Sequence, residues 1–555
     1  MPRSRTARRA ALTASTISLL MACLVLTGLG NAAGAVDQPV SGSTASTDPT
    51  PTPSPDPVSK PAVGPTTLVA NADSTTIEAF RFRYVTVLGN DTCSGVTPCR
   101  RSALTAMTAS GPAGWPVSVV AGTGQLKIGV PSGVPAGYYA VHYSITDATG
   151  TASTYLRVRV VLGPTPDHYN PPQGAKFSHA FQRGNINRIK THIIRTINSV
   201  PRGGQIRIIT WSFSSTDYLR ALVAAKKRGV SVQVILASGN NDYTISYPGL
   251  KKALGGDRWK KDATRGSWVY RCVRSCRGTG GTMHAKVFLF SQAYNTRFIT
   301  MSGSGNFTDF AAKGQWNQLY TDTNNQAVYD SVNRVFISMK HDVPAKPREL
   351  ALKFPTTTYF FTPMAAPEAV YDFVWQGLRQ VQCTGTSIKG GRTKIRISMY
   401  TWRDRRGDWM AKQVRKLWNE GCDVRIIYAI MGNRNKAILY SPKGRGRIPM
   451  RQTIQVDDLH RPVWYLHQKY IVIGGHVGTT PTTYQVYQGS FNFSDLGMRS
   501  DENMQLLNGY SNYAPFMADF NQVWVQPETR APNPNSYVLQ EDRLGQGLYQ
   551  FMEPN

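Results

Sequence analysis

One short pattern occurs twice in this 555-residue chain and limits what the chain can fold into. The sequences "TMHAKVFLF" at 282–290 and "YLHQKYIVI" at 465–473 each place a histidine and a lysine two residues apart, directly before an apolar run. Residues two apart on a strand share a face, so each pattern predicts a buried strand that begins with an imidazole beside an ammonium. A single His-x-Lys is usually packing, but a repeat is not expected by chance from nine histidines.

The repeat extends upstream of both histidines. The apolar stretches at 205–213 and 394–402 are each followed by a helical pattern that ends at a glycine, Gly229 or Gly421, and then by a second apolar stretch. This order of elements, which is strand, helix, strand and then a His-x-Lys strand, predicts an α/β unit with a largely parallel sheet. The unit occurs twice.

A further shared pattern follows each His-x-Lys strand: "SGSGNFTD" at 302–309 and "YQGSFNFSD" at 487–495. The doubled His-x-Lys, apolar strand and Gly-Ser-x-Asn resembles the phospholipase D superfamily of phosphodiesterases, over roughly residues 172–530. The resemblance implies two tandem phospholipase D-like α/β lobes packed about a pseudo-twofold axis. The matching residues are His284, Lys286, Gly303, Ser304 and Asn306 in the first half and His467, Lys469, Gly489, Ser490 and Asn492 in the second.

The resemblance also implies a mechanism. One imidazole would attack phosphorus and form a phosphohistidine, while the other protonates the leaving oxygen and later activates water. Lys286, Lys469, Asn306 and Asn492 would bind the phosphate oxygens. Secreted members suggest His284 as nucleophile and the other histidine as acid, an order that the residues alone do not fix. The scheme needs no metal or cofactor, and no Cys/His cluster has zinc spacing.

Two features depart from the usual family pattern. The aspartate that normally lies five residues after the lysine is replaced by Ser291 and Gly474, as in the tyrosyl-DNA phosphodiesterase branch. The glutamate that normally lies eleven residues after the motif asparagine, and orients the histidine, is replaced by Asn317 and Asn503. An amide oxygen can still accept from an imidazole N–H, so these two asparagines and the motif serines are predicted to support the catalytic set.

Composition suggests further segments before the lobes. A Pro/Thr/Ser tract predicts a semi-extended linker, and short alternating strands after it predict an all-β sandwich of immunoglobulin-like type, as a spacer rather than a binding module. The predicted boundaries are 1–35 for a signal peptide, 36–65 for the linker, 66–165 for the sandwich, 170–350 and 351–530 for the two lobes, and 531–555 for a C-terminal tail.

The N-terminus and the cysteines indicate export. Four arginines precede an apolar run at about 17–29, which is typical of a signal peptide, and Arg8-Arg9 leaves twin-arginine export open beside the general route. Six cysteines remain after the signal peptide, and nearest-neighbour bridges are the simplest pairing in an oxidising compartment. We therefore expect a secreted monomer, with both half-sites in one chain and disulfides Cys93–Cys99, Cys272–Cys276 and Cys383–Cys422.

Charge points to an anionic partner. Removing the four signal-peptide arginines from the net charge of +30 leaves +26, which favours a membrane surface, a nucleic acid or a wall polymer. Basic clusters are expected at the rim of the site, with tryptophans among them that either contact the partner or pack in the core. The clusters are 251–261, 271–277, 402–409 and 443–447, and the tryptophans are Trp259, Trp268, Trp402 and Trp409.

Three functions are consistent with this pattern. The first is an exported phospholipase D-type enzyme that hydrolyses phospholipid head-group diesters. The second is a metal-independent nuclease or DNA phosphodiesterase, and the third is an inactive polyanion-binding protein. The two complete His/Lys/Asn sets favour an enzyme over the third.

Overall fold

The computed structural model describes residues 68–79, 82–131, 134–161, 165–182, 184–238, 246–256, 266–457 and 462–532. The predicted signal peptide, the linker and most of the predicted C-terminal tail lie outside these residues. Within these ranges no helix is both long and apolar enough to cross a membrane.

Seven strands form two small sheets near the N-terminus, with orders β1-β7-β6-β3 and β2-β5-β4. The strands are β1 Asp73–Glu78, β2 Phe82–Thr86, β3 Ala106–Ser110, β4 Val117–Val119, β5 Gln125–Gly129, β6 Gly137–Asp147 and β7 Gly150–Val161. Leu126 and Ile128 of one sheet share a core with Val141 and Leu156 of the other, as alternating strands predict. The pairs are antiparallel except β1–β7, which is parallel, and the immunoglobulin-like assignment stays a prediction.

The first α/β lobe follows. Its elements are β8 Gly174–Ser178, α1 Arg188–Asn198, β9 Gln205–Thr210, α2 Thr216–Lys227, β10 Ser231–Ala237, α3 Ser246–Leu254, β11 Trp268–Cys272, β12 Val287–Ala293, β13 Thr296–Gly303, α4 Asp309–Lys313, β14 Gln315–Asp322 and α5 Gln326–His341. Ile208 packs with α1 and α2 on one face of the sheet, and Ile209 packs with α5 on the other. Burial on both faces explains the continuous apolar runs in the sequence.

The second lobe has the corresponding elements. They are β15 Leu350–Lys353, β16 Thr357–Phe361, α6 Phe373–Arg379, β17 Val381–Gln382, β18 Lys394–Trp402, α7 Asp404–Asn419, β19 Asp423–Met431, α8 Asn433–Leu439, β20 Met450–Gln452, β21 Ile454–Val456, β22 Pro462–Leu466, β23 Lys469–Val477, β24 Thr480–Gly489, α9 Asp495–Arg499, β25 Asn503–Asn508 and α10 Tyr510–Trp524.

The same strand order is built twice. Strands β11-β10-β9-β12-β13-β14 of the first lobe correspond to β20-β19-β18-β23-β24-β25 of the second. Within each of these six-strand series only the two pairs among the first three strands are parallel, so the prediction of a largely parallel sheet was wrong. The His-x-Lys strand lies antiparallel to its neighbour and continues through a hairpin, which joins antiparallel strands.

The lobes are joined at two equivalent places. Strand β22 pairs in parallel with β14, through Trp316 and Leu466, and Met283 forms a parallel bridge with Asp501. Leu466 and Met283 directly precede the two motif histidines. Each histidine therefore enters the interface on a segment that is hydrogen-bonded to the opposite lobe.

Candidate active site

The two motif histidines are fixed by main-chain bonds that cross between the lobes. The backbone N–H of His284 donates to the carbonyl of Asp501 at 2.9 Å, and that of His467 donates to the carbonyl of Trp316 at 3.0 Å. Both imidazoles are buried, His284 at 4% exposure and His467 fully.

Each imidazole also contacts a side chain of the opposite lobe. His284 Nδ1 lies 2.8 Å from Glu502 Oε1, and His467 Nδ1 lies 2.9 Å from Asn317 Oδ1. The orientation of the Asn317 amide follows from its other contacts, because its Nδ2 donates to the carbonyl of Ala311 and to Gln315 Oε1. Oxygen therefore faces both Nδ1 atoms, so each Nδ1 carries the hydrogen and each neutral ring keeps its lone pair on Nε2.

Ser304 and Ser490, the motif serines, hold these two acceptors in place. Ser304 Oγ donates to Asn317 Oδ1 at 2.8 Å, and Ser490 Oγ donates to Glu502 Oε2. Two equivalent chains result, each running from serine to acceptor to the histidine of the opposite lobe. The structure thus places three of the four predicted supporting residues, Ser304, Ser490 and Asn317, in these hydrogen-bonded chains.

The fourth, Asn503, does not orient a histidine, because Glu502 occupies that place. Asn503 Oδ1 instead accepts the backbone N–H of Lys286 at 2.7 Å, and Gln318 Oε1 accepts that of Lys469 at 3.2 Å. Asn317 lies eleven residues after Asn306, whereas Glu502 lies ten after the second motif asparagine. Counting eleven in both halves therefore misassigned the second acceptor by one residue.

Both motif lysines are completely buried. Lys286 Nζ donates to the carbonyl of His284 at 2.6 Å, and Lys469 Nζ donates to that of His467 at 3.0 Å. Each ammonium also lies near an aromatic ring, Trp211 at 5.8 Å and Tyr400 at 4.8 Å from the ring centre. The same rings contact the histidines, with centroid distances of 5.7 and 5.1 Å.

The motif glycines permit the close packing that places Asn306 and Asn492. A Cβ at Gly303 would lie 2.3 Å from the carbonyl oxygen of Gln318, and one at Gly489 would lie 2.1 Å from that of Asn503. Asn306 is 8% exposed and Asn492 is 1% exposed. The side-chain oxygen of Asn306 is buried without a hydrogen-bond partner among the described residues. Buried polar atoms without a partner are rare in folded proteins.

The positions of the absent aspartates have structural roles instead. Ser291 Oγ accepts the backbone N–H of Gln205 at 2.9 Å and so ties β12 to the start of β9. A Cβ at Gly474 would lie 2.7 Å from the hydroxyl of Tyr513. Any side chain there would have to displace Tyr513 of α10.

Asp501, beside Glu502, anchors a loop of the first lobe. Its carboxylate accepts the backbone N–H groups of Cys276 and Arg277, and its own N–H donates to the carbonyl of Thr282. Burial raises the pKa of Asp501 to about 7, more than the hydrogen bonds lower it. The acceptor of His284 thus follows a residue that is clamped to the opposite lobe.

The three predicted disulfides are present: Cys93–Cys99, Cys272–Cys276 and Cys383–Cys422. Cys272 and Cys276 also lie near Asp342, and these three form the group of metal-ligand residues found in the described part of the chain. Both sulfurs belong to the disulfide, so this group does not fit a metal site. The disulfides are compatible with an exported protein.

Several predicted rim residues are structural. Trp268 and Trp402 are fully buried, which decides in favour of packing, and Trp409 Nε1 donates to Asp372. Arg277 and Arg406, from two of the basic clusters, are also buried, while Trp259 lies outside the described residues. Buried cations of this kind are not available at the surface to attract a substrate.

Sequence reasoning missed Glu502, Gln318, Trp211 and Tyr400. Glu502 was detectable as a carboxylate one residue before the expected position. Trp211 directly follows β9 and Tyr400 lies in β18, at equivalent positions of the two repeat units, in "ITWSF" and "SMYTW". Aligning the two halves would have identified the aromatic pair.

Comparison with known proteins places these features in a family. The family described as "Cardiolipin synthase, PLD-like domain" matches residues 193–340 and 386–524. No curated protein matches the chain.

Solved structures are also similar to the chain. Polyphosphate kinase from Porphyromonas gingivalis is 13% identical with a TM-score of 0.41, and the match covers 71% of this chain and 59% of that one. The chain therefore spans less than two thirds of that kinase. Nuc from Salmonella typhimurium is 20% identical (TM-score 0.23, 31% of this chain and 94% of that one), and NucT from Helicobacter pylori is 19% identical (TM-score 0.22, 30% and 95%).

The family match falls on both lobes and spans both His-x-Lys and both Gly-Ser-x-Asn motifs. The two matched ranges contain 148 and 139 residues, and together they make up slightly more than half of the 555. This chain belongs to the phospholipase D-like family.

Proposed function

We propose that this protein is a phosphodiesterase that cleaves a phosphorus–oxygen bond through a phosphohistidine. The observation that carries the proposal is the pair of crossed contacts, in which each motif histidine is held through Nδ1 by a side chain of the other lobe. These contacts bring both His-x-Lys strands to one interface and hold each imidazole by Nδ1, so Nε2 is the atom proposed to act on phosphorus or on the leaving oxygen.

The difference between the two acceptors supports His284 as the nucleophile. Attack by Nε2 on phosphorus makes the ring positively charged, and the Glu502 carboxylate at 2.8 Å stabilises that charge. The neutral amide of Asn317 gives His467 no such stabilisation. An imidazolium at His467 therefore releases its proton more readily, which suits a general acid.

The reaction starts with a neutral His284 and a protonated His467. His284 Nε2 forms a bond to phosphorus as the bond to the leaving oxygen breaks, and His467 gives its proton to that oxygen. Water then attacks phosphorus, His467 takes the proton from the water, and the phosphorus–nitrogen bond breaks. Lys286, Lys469 and the two motif asparagines stabilise the negative oxygens in both steps.

For the substrate we propose the head-group diester of a phospholipid. The description of the matching family names a lipid enzyme, cardiolipin synthase, and the net charge of +30 suits an anionic membrane surface. The same charge supports a nucleic acid as the second candidate substrate, and the missing motif aspartates also favour it. An inactive polyanion-binding protein is the third candidate.

Parallel assays distinguish these functions. Purified protein with EDTA is incubated with phosphatidylcholine vesicles, with and without ethanol, and separately with single-stranded DNA. We expect choline release that survives chelation, since lysines and asparagines carry the role that metals fill elsewhere, and that is absent in His284→Asn. Cleavage of DNA alone would select the second function, and phosphatidylethanol formation would show transfer to an alcohol. Turnover that EDTA removes and a divalent ion restores would contradict the mechanism.

A further inference from the structure

A second group of cations lies away from the His/Lys/Asn set. A cavity of about 440 Å³ lies between α1 and β8, and its lining includes Tyr169, Lys176, Arg188, His192 and Arg195. None of the motif histidines, lysines or asparagines lines it. Its volume falls in the range of small-molecule sites.

The positive charges of this cavity are not balanced by carboxylates. None of its nine lining residues is acidic, and in the described part of the chain no ion pair involves Lys176, Arg188 or Arg195. Lys190, on the same helix, differs because its Nζ lies 2.6 Å from both Asp217 and Asp309. The cations of α1 are thus neutralised outside the cavity and left uncompensated within it.

Two groups that line the cavity, His192 and Lys176, have lowered pKa values. Burial, and then Lys176 and Arg195, lower the pKa of His192 to about 3. Burial, and then Arg188, lower the pKa of Lys176. Burial is the larger cause of both shifts, and the neighbouring cations add to it in the same direction.

Neutral groups fix the geometry around these charges. His192 Nδ1 lies 2.8 Å from the Tyr169 hydroxyl, and its Nε2 lies 2.9 Å from Thr321 Oγ1. The guanidinium of Arg195 lies 4.0 Å from the centre of the Tyr169 ring. A held guanidinium loses less entropy when it binds a ligand than a mobile one.

We propose that this cavity binds a dianionic phosphate group, as inorganic phosphate or as a phosphomonoester. Three cations with no carboxylate match a double negative charge, and two guanidinium groups supply the paired donors that phosphate oxygens accept. A phosphodiester carries a single charge and compensates the cations less. The site is separate from the catalytic histidines and stands whether or not the proposed reaction is correct.

Calorimetric titration at pH 8 and constant ionic strength tests the site. The probes are inorganic phosphate, glycerol 3-phosphate and dimethyl phosphate. The variant is Arg195→Gln, which removes an exposed side chain and leaves the core intact, and the matched control is Arg334→Gln, an exposed arginine on α5 outside the cavity. Arg195→Gln should weaken phosphate binding about tenfold or more, with the control unchanged and Arg195→Lys intermediate.

The relative affinities of the three probes identify the class of ligand, and the Arg195 variant tests the site. Tighter binding of glycerol 3-phosphate than of phosphate supports a monoester ligand, and equal binding supports free phosphate. Affinity that is the same in wild type and Arg195→Gln would overturn the site. Dimethyl phosphate binding as tightly as phosphate would overturn the assignment to a dianion.

Discussion

Glu502→Gln removes one negative charge from beside His284 while keeping an oxygen that can accept from Nδ1. The carboxylate and the ring are in hydrogen-bond contact at 2.8 Å, and both are nearly inaccessible to water. With the centres of charge about 4 Å apart and an effective dielectric constant near 20, their attraction is about 4 kcal/mol. The glutamine keeps the hydrogen bond to Nδ1 and with it part of this attraction. We therefore expect a loss of about 2–3 kcal/mol of transition-state stabilisation, or roughly 30- to 150-fold in kcat/KM.

The assay is hydrolysis of a nitrophenyl phosphodiester, with melting temperatures measured to verify folding. Glu420→Gln is the matched control, since this carboxylate is on the surface and, among the residues that the structure describes, forms an ion pair with Lys416 alone, at 3.7 Å. Turnover of Glu502→Gln within about twofold of wild type would refute the electrostatic role of the carboxylate. An equal loss in Glu420→Gln would show that the effect is not local.

Three further predictions concern stability. The pKa of Asp501 is higher in the folded state (about 7) than in the unfolded chain (3.8), so its contribution to stability is present at low pH and is lost as pH rises to 7. The free energy of unfolding of wild type should therefore fall by about 3 kcal/mol between pH 5 and pH 8 because of this group. Urea unfolding at both pH values should show that this fall is absent in Asp501→Asn. Arg406→Ala removes the guanidinium that pairs with the fully buried Asp372 and should lower the free energy of unfolding by about 3–5 kcal/mol, and a change below about 1 kcal/mol would contradict the structural role of the pair. Replacing Cys383 and Cys422 by serine opens a bridge with a sequence separation of 39 and should cost about 4 kcal/mol by loop entropy, whereas an unchanged midpoint in urea would argue against that bridge.

The repeated units could be predicted from the sequence because each element has a local cause. The apolar runs, the helical patterns ending at Gly229 and Gly421, and the His-x-Lys triplets are all visible within a few residues. Strand direction is not local, since the placement of β12 beside β9 depends on how the chain returns after β11. The sheet was therefore expected to be mostly parallel and is mixed.

In the candidate site, too, local features were predictable from the sequence and contacts between distant residues were not. The motif residues were identified from spacing, but their partners lie in the other lobe, more than a hundred residues away along the chain. A difference of one residue between the halves was enough to assign Asn503 in place of Glu502. Burial of Trp268 and Trp402 likewise depends on packing that local composition does not specify.

The most direct test of the central claim is the detection of a phosphohistidine. His467→Asn should still allow attack on a nitrophenyl phosphodiester, because the leaving group needs no proton, but should block activation of water. We expect a burst of one equivalent of nitrophenol and an acid-labile phosphoryl adduct on the peptide that contains "TMHAK", at His284. An adduct on the "YLHQK" peptide in His284→Asn instead would reverse the roles of the histidines. If wild type releases nitrophenol but neither variant forms an adduct, water attacks phosphorus directly and the proposed mechanism is contradicted.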